Sequence, residues 1–136
     1  MGKGNTTSND VLKCILKGVA PSYNSNLTLY VSLHTANPTL TGTQLTNEAN
    51  YSGYLRRAIT KASGWTDNGT NFTNAALIQF PICGVNGATI KYVAIGELDS
   101  LGAGQIYYIG QISSDLVVTT NIQPQFSVGN LQVTES

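Results

Sequence analysis

This chain of 136 residues carries one histidine, His34, at the end of Leu27-Thr-Leu-Tyr-Val-Ser-Leu-His34. A single imidazole with no cysteine near it in sequence falls short of the three protein ligands a catalytic zinc ion takes. A nucleophile–His–acid relay would need a serine presented to that ring, and no Gly-x-Ser-x-Gly elbow occurs. His34 therefore reads as a hydrogen-bonded structural residue. The carboxylates offer a second route: Glu48, Asp67, Glu97, Asp99 and Asp115 are the candidates for a glycosidase pair, which needs a separation of ~5–10 Å. Glu97 and Asp99 lie two apart at a strand end and can share a face. With Ser100 and backbone carbonyls they are also of the donor type that Ca²⁺ takes, but no repeating Asp-x-Asp pattern supports it. A solvated loop entrance is the simpler reading. Gly102-Ala-Gly104 lacks both a partner lysine and a following helix, so it reads as a chain reversal and not as a phosphate loop. The residues thus assign no catalytic group, no cofactor and no metal site, and the chain is expected not to be an enzyme.

Arg56 and Arg57 are adjacent in a stretch read as a strand, so one points inward and one outward. An inward guanidinium needs a partner, since burying an unpaired charge is costly. Glu48 is the nearest acid in sequence, and Glu48 with Arg56 or Arg57 is expected to form a structural clamp. Tyr51 and Tyr54, flanking Gly53, are expected to pack half-buried beside that clamp. The alternative for them is a sugar platform, because aromatic faces suit the apolar side of a pyranose. Cys14 and Cys83 share no CxxC spacing and are expected to be buried free thiols.

Composition narrows the class. Charged residues make up 10% of the chain, against roughly 25% in ordinary globular domains, and Thr, Asn, Ser and Gln take their place. Such a surface makes few long-range fields and depends little on salt; it suits lasting contact with a protein partner and carbohydrate contact equally. Seven basic residues balance seven acidic ones, and the basic ones form no stripe that would neutralise a phosphate backbone, so nucleic acid is not the expected partner. No apolar run approaches the ~18 residues of a membrane span, and the polar start Met-Gly-Lys-Gly-Asn-Thr-Thr lacks the apolar core of a signal peptide. Apolar content of 41% supplies a real core for one domain. Five Asn-x-Ser/Thr sequons begin at Asn5, Asn26, Asn50, Asn68 and Asn71, as chance allows in a chain this rich in Asn and Thr.

The elements follow from periodicity. Residues 1–8 read as a flexible arm, after which Ser8 or Asn9 caps a helix of about eight residues ending at Gly18. Val11, Leu12, Ile15 and Leu16 make one apolar stripe, a candidate protein interface. It docks either on its own β-body or on a neighbouring subunit or capsid protein. From Leu27 the period is two, with Leu27, Leu29, Val31 and Leu33 facing one way and Thr28, Tyr30, Ser32 and His34 the other. Further strands are expected at 54–61, 74–80, 90–97, 105–112, 116–119 and 125–134, with shorter pieces near 44–48 and 64–66. Asp67-Asn-Gly69 and Asn86-Gly87 are turn signals. Evenly spaced short strands predict an all-β fold, a single antiparallel β-sandwich of jelly-roll type. A short helical arm at residues 1–20 precedes a β-domain at 21–136.

The order of motifs adds a resemblance. Leu29-Tyr-Val-Ser-Leu-His-Thr-Ala-Asn-Pro38 is followed by Glu48 and Tyr51-Ser-Gly-Tyr-Leu-Arg56, then by Trp65, Asn74-Ala-Ala-Leu-Ile-Gln-Phe-Pro81, Thr89–Ile95 and Phe126-Ser-Val-Gly-Asn-Leu-Gln-Val-Thr134. In this order they resemble a family of small phage virion proteins known as head fibre, tail fibre or capsid decoration (cement) proteins. The pattern departs at Gly96-Glu-Leu-Asp99, where an aromatic residue or a Tyr/Trp-Asp pair is expected. The resemblance implies a non-enzymatic structural protein of the virion. The first expectation is a decoration protein on the capsid exterior, bound to the major capsid protein and to itself as a trimer or dimer. The alternative is a head- or tail-fibre tip that touches a host receptor or glycan.

Overall fold

The computed structural model describes residues 1–99 and 102–135. Ten strands and one α-helix follow one another: β1 (Gly2–Lys3), α1 (Asn5–Lys17), a 3₁₀ turn (Ser22–Ser25), β2 (Thr28–His34), β3 (Arg57–Thr60), β4 (Trp65–Asp67), β5 (Phe72–Asn74), β6 (Ile78–Gln79), β7 (Ala88–Gly96), β8 (Ile106–Val118), β9 (Gln125–Phe126) and β10 (Gln132–Val133). The largest sheet has the order β1-β8-β7-β2-β3; a three-stranded sheet β10-β5-β4 and a β6-β9 pair accompany it. Every pairing is antiparallel. The fold is all-β and sandwich-like, with one helix ahead of it.

The period-two reading of β2 places Leu29, Val31 and Leu33 against the core, where Val31 and Leu33 meet Ile59, Ile78, Phe80, Val93 and Ile95. Phe80 sits at the centre, stacked on Tyr54 at 6.4 Å and edge-on to Phe126 at 6.3 Å. Leu27 departs from the expectation: it precedes the strand and is 77% exposed. The opposite face of β2 is covered as well. Ser32 and His34 are fully buried, because the segment from Thr43 to Glu48 folds over them; His34 bridges to Glu48 and Thr43 to Gln105.

Several expected boundaries shift, each for a local reason. The helix begins at Asn5, not Ser8 or Asn9, and its cap is Gly4 without a side-chain bond. Asn5 N–H is instead satisfied by the Leu40 carbonyl at 2.8 Å, and a Cβ on Gly4 would lie 2.5 Å from the Ile106 carbonyl oxygen. Residues 1–8 are not a free arm: Gly2 and Lys3 pair with Ile109 and Tyr108, and buried Thr7 donates its hydroxyl to the Ile106 carbonyl at 2.9 Å. Gly18 ends the helix in the left-handed region at φ 68°, with its own N–H on Cys14 O and that of Val19 on Lys13 O, the closure glycine permits. The expected strand 54–61 shrinks to β3 because Tyr54 and Arg56 turn inward to a polar cluster. The strand expected at 74–80 splits at Ala75–Leu77, and 125–134 splits around Gly129 at φ 82°. Conversely, 105–112 and 116–119 join as β8, with a register break opposite Ile90 and Tyr92.

Candidate functional site

Three features bear on function: a buried polar cluster under the loops, an aromatic cleft between the sheets, and the outer half of α1.

The polar cluster centres on Arg56. Its Nε donates to Glu48 Oε2 at 2.7 Å and its Nη2 to Glu48 Oε1 at 2.8 Å, a bidentate pair with 0% and 4% side-chain exposure. Its remaining donors reach the carbonyls of Leu98 and Gly102 at 3.1 and 2.8 Å. Tyr54 donates to Glu48 Oε2 at 2.7 Å and accepts from Leu33 N–H. Burial, then the Glu48 charge, pushes the Tyr54 hydroxyl far above its usual range, so it stays a donor. Arg57 lies outside the cluster: it is exposed and bonds the Gln79 carbonyl. Tyr51 is buried, donates to the Pro81 carbonyl at 2.6 Å, and is pushed up to about 12, mainly by burial. Neither Tyr51 nor Tyr54 presents a face to solvent, which removes the sugar-platform alternative for them.

Gln44 completes the cluster, and sequence reasoning passed over it. It is fully buried; its Oε1 accepts the N–H groups of Glu97 and Leu98 at 3.1 and 2.9 Å. A Cβ added at Gly96 would lie 2.4 Å from its Cδ, and one at Gly104 would lie 2.0 Å from its Oε1. The only signal was the glycine at position 96, which leaves room for a buried amide. His34 closes the row: Nδ1 donates to the Thr46 carbonyl at 2.9 Å, so Nε2 accepts from Ser32 Oγ at 2.8 Å. Burial holds its pKa below the ordinary histidine value, so the ring is neutral and positions a loop.

The acids do not converge. Glu97 Oε2 accepts the Gln105 N–H at 3.1 Å, Asp99 is exposed, and Asp115 meets Lys91 at 3.9 Å on the surface. Ser100 lies outside the described residues. Among the described residues, no group of three or more His, Cys, Asp or Glu is placed to hold a metal ion. Among the described residues, no helix is long and apolar enough to cross a membrane.

The cleft lies between the five-stranded and three-stranded sheets beside the start of α1, with a volume of about 380 Å³. Tyr23, Trp65, Phe72, Tyr107 and Tyr108 line it together with Leu29, Val133 and the stem of Lys61. Tyr23 and Tyr107 pack with centroids 4.6 Å apart. Two of the lining residues bury a polar atom without a hydrogen bond inside the protein, Trp65 at Nε1 and Tyr107 at its hydroxyl. The Asn26 side chain approaches that hydroxyl closely enough to oppose the upward shift to about 12 caused mainly by burial, but not with hydrogen-bond geometry.

Helix α1 is fixed at its start and free beyond. Gln105 Nε2 donates to Thr7 Oγ1 and Asp10 Oδ2, both at 3.0 Å, and Val11 borders the cleft. Past it, Leu12, Ile15, Leu16 and Val19 are 55%, 73%, 72% and 52% exposed. Cys14 sits on this outer half and is exposed, contrary to expectation; Cys83 is buried with its thiol toward the Asn86 carbonyl.

Among known families, the model described as "Podophage GP4 fiber I protein gp80" aligns with residues 2–134. No curated protein matches the chain.

Proposed function

The chain belongs to the podophage GP4 fiber I protein family, and from that premise we propose that it sits on the outside of the phage particle, held to its neighbours by helix α1. As a member of a fibre family it is a structural protein of the virion, a non-enzymatic role. The observation that carries the attachment reading is the apolar stripe Leu12, Ile15 and Leu16, continued past the helix end by Val19, which its own β-body leaves uncovered. Covering four such side chains contributes several kcal/mol at ~25 cal/mol per Å², before the cost of association. Because the helix is already anchored through Thr7 and Asp10, little further ordering opposes it.

Within that role, our first reading is decoration of the head, with the major capsid protein and further copies of this chain, as a trimer or dimer, covering the stripe. A protein that binds only assembled shell stabilises it by RT ln(1 + [L]/Kd) at every site. The second reading is a fibre tip that touches a host receptor; the family's description and the aromatic cleft favour it. Copy number in purified virions separates them: hundreds of copies go with a head lattice, a dozen or fewer with a tail. Attachment itself is tested with the triple substitution Leu12→Ser, Ile15→Ser, Leu16→Ser. The folded variant should be missing from virions, whereas incorporation at full occupancy would place the docking surface on the β-body.

A further inference from the structure

We propose that the groove between the free edges of β3 and β6 takes an extended peptide segment of a partner protein as an added strand, with a carboxylate of that segment on Arg57. This attachment surface is separate from the α1 stripe and goes beyond the reading above.

β3 is the last strand of the five-stranded sheet, and β6 pairs with β9 alone. Their unpaired sides border one groove of about 460 Å³. Lys61 N–H donates to the Leu27 carbonyl at 2.9 Å, and Thr60, Ile59 and Ala58 follow opposite Thr28, Leu29 and Tyr30. In an antiparallel ladder, opposed residues exchange both backbone bonds at every second pair. Ile59 therefore turns its N–H and carbonyl to β2, while Ala58 and Thr60 turn theirs to the groove. Gly64 N–H takes the Thr60 carbonyl at 3.0 Å; the Ala58 N–H and carbonyl and the Thr60 N–H stay open. The other bank follows the same alternation. Phe80 N–H donates to the Pro124 carbonyl at 2.9 Å, so Gln79, opposite Gln125, turns its backbone groups away from β9. Its carbonyl accepts from Arg57 Nε. Ala75 N–H on the Gly64 carbonyl at 2.9 Å ties the chain after β3 to the chain before β6.

The backbone groups choose the occupant. A donor and an acceptor on Ala58, with a donor two residues along on Thr60, are the pattern an extended peptide answers with its own carbonyls and N–H groups. A helix or an apolar side chain would leave them unmet. The neighbouring side chains leave room: Ala58, Thr60 and Gln79 are exposed, while Ile59 and Ile78 turn to the core. Among the described residues, Arg57 is the one charged member of the lining; Lys61 sends its ammonium to the Tyr23 carbonyl instead. A single hydrogen bond from Nε holds Arg57 across to Gln79, and its two Nη groups remain to grip a carboxylate in a fork. Charge on an edge strand also blocks unwanted pairing, so the same guanidinium guards the groove until an acidic segment satisfies it. Antiparallel pairing with β3 of a second copy about Ile59 would instead set Arg57 opposite Lys61, like charge against like.

The test uses the isotope-labelled full-length protein and hexapeptides blocked at both ends. They alternate threonine with valine or serine with isoleucine and end in aspartate, with asparagine-ended versions as controls. Amide exchange is followed residue by residue by NMR. In the free protein the Ala58 and Thr60 N–H groups should exchange much faster than that of Ile59, which is tied to β2. At least one aspartate peptide should bind saturably and slow those two amides. It should bind about tenfold tighter than its asparagine version, an advantage that added NaCl erodes. Arg57→Gln should erase that difference. Ala58→Pro removes an N–H that β2 does not use, a place where edge strands accept proline, and should abolish binding by the folded protein. The variant Leu12→Ser, Ile15→Ser, Leu16→Ser should bind the peptides as the native protein does, so loss of α1 attachment and loss of strand addition are separate results. The proposal is overturned if no aspartate peptide saturates, if the aspartate and asparagine peptides bind alike, or if both groove variants bind like the native protein. Protection of Ala58 and Thr60 without peptide, rising with protein concentration, would assign the edge to a second copy and also overturn it.

Discussion

Arg56 and Glu48 hold each other through two hydrogen bonds of 2.7 and 2.8 Å with both side chains shut off from solvent. Removing one member strands the other, and such losses run to roughly 3–5 kcal/mol. Arg56→Met and Glu48→Gln should each lower the urea midpoint by that order, with Glu48→Gln also releasing the Tyr54 hydroxyl. The double variant Glu48→Leu/Arg56→Met should recover part of the loss. Two mild single variants would show that water reaches the pair.

Gly96→Ala should cost about 1–3 kcal/mol by overpacking, since the new methyl lies 2.4 Å from Gln44 Cδ. Adding Gln44→Ala should relieve the clash but leave the Glu97 and Leu98 N–H groups without their acceptor. Thermal melts of the single and double variants measure the coupling. Strict additivity would mean that the two positions do not touch.

The protein should lose stability on acidification through His34. Burial keeps the folded-state pKa below the ordinary ~6.5 of the unfolded chain. Between those two values the unfolded state binds a proton that the folded state refuses, so stability falls as pH drops below ~6.5, by at most about 1.4 kcal/mol per pH unit. The loss from this group levels off below the folded pKa. Denaturation curves between about pH 7.5 and 5 should show the slope, and His34→Gln should flatten it.

Leu33→Ala should cost ~2–5 kcal/mol by transfer loss and cavity, whereas Leu27→Ala, in the same alternation, should change stability by less than ~0.5 kcal/mol. Leu33 is 1% exposed and Leu27 77%. Equal costs would mean that β2 extends further toward its start than the pairing of Thr28 with Thr60 shows.

The alternation of Leu29, Val31 and Leu33 made β2 readable, and the helical spacing of Leu12, Ile15 and Leu16 made α1 readable. These are local patterns written in one stretch of chain. The start of α1 was not readable, because Asn5-Thr-Thr-Ser8 looks like a loop until Leu40 and Ile106 are brought beside it. Glu48 with Arg56 followed from the cost of a buried charge. Gln44 did not, since a glutamine among threonines carries no sign that two distant glycines flank it. The cleft was invisible for a similar reason: its walls come from segments spread along the chain from Thr7 to Val133, and the unmatched indole of Trp65 exists only once they meet.

The loop at 43–48 and the neighbouring segments 97–99 and 102–104 are gripped from beneath by Gln44, Arg56 and His34, whose side chains never reach the surface. The side chains of their outward residues, Leu45 and Leu98 among them, take no part in that grip. Mutational drift on this end of the molecule is therefore decoupled from its backbone. A lineage of such proteins can exchange the exposed residues of these two loops, and with them whatever the loops touch, while the scaffold beneath stays the same.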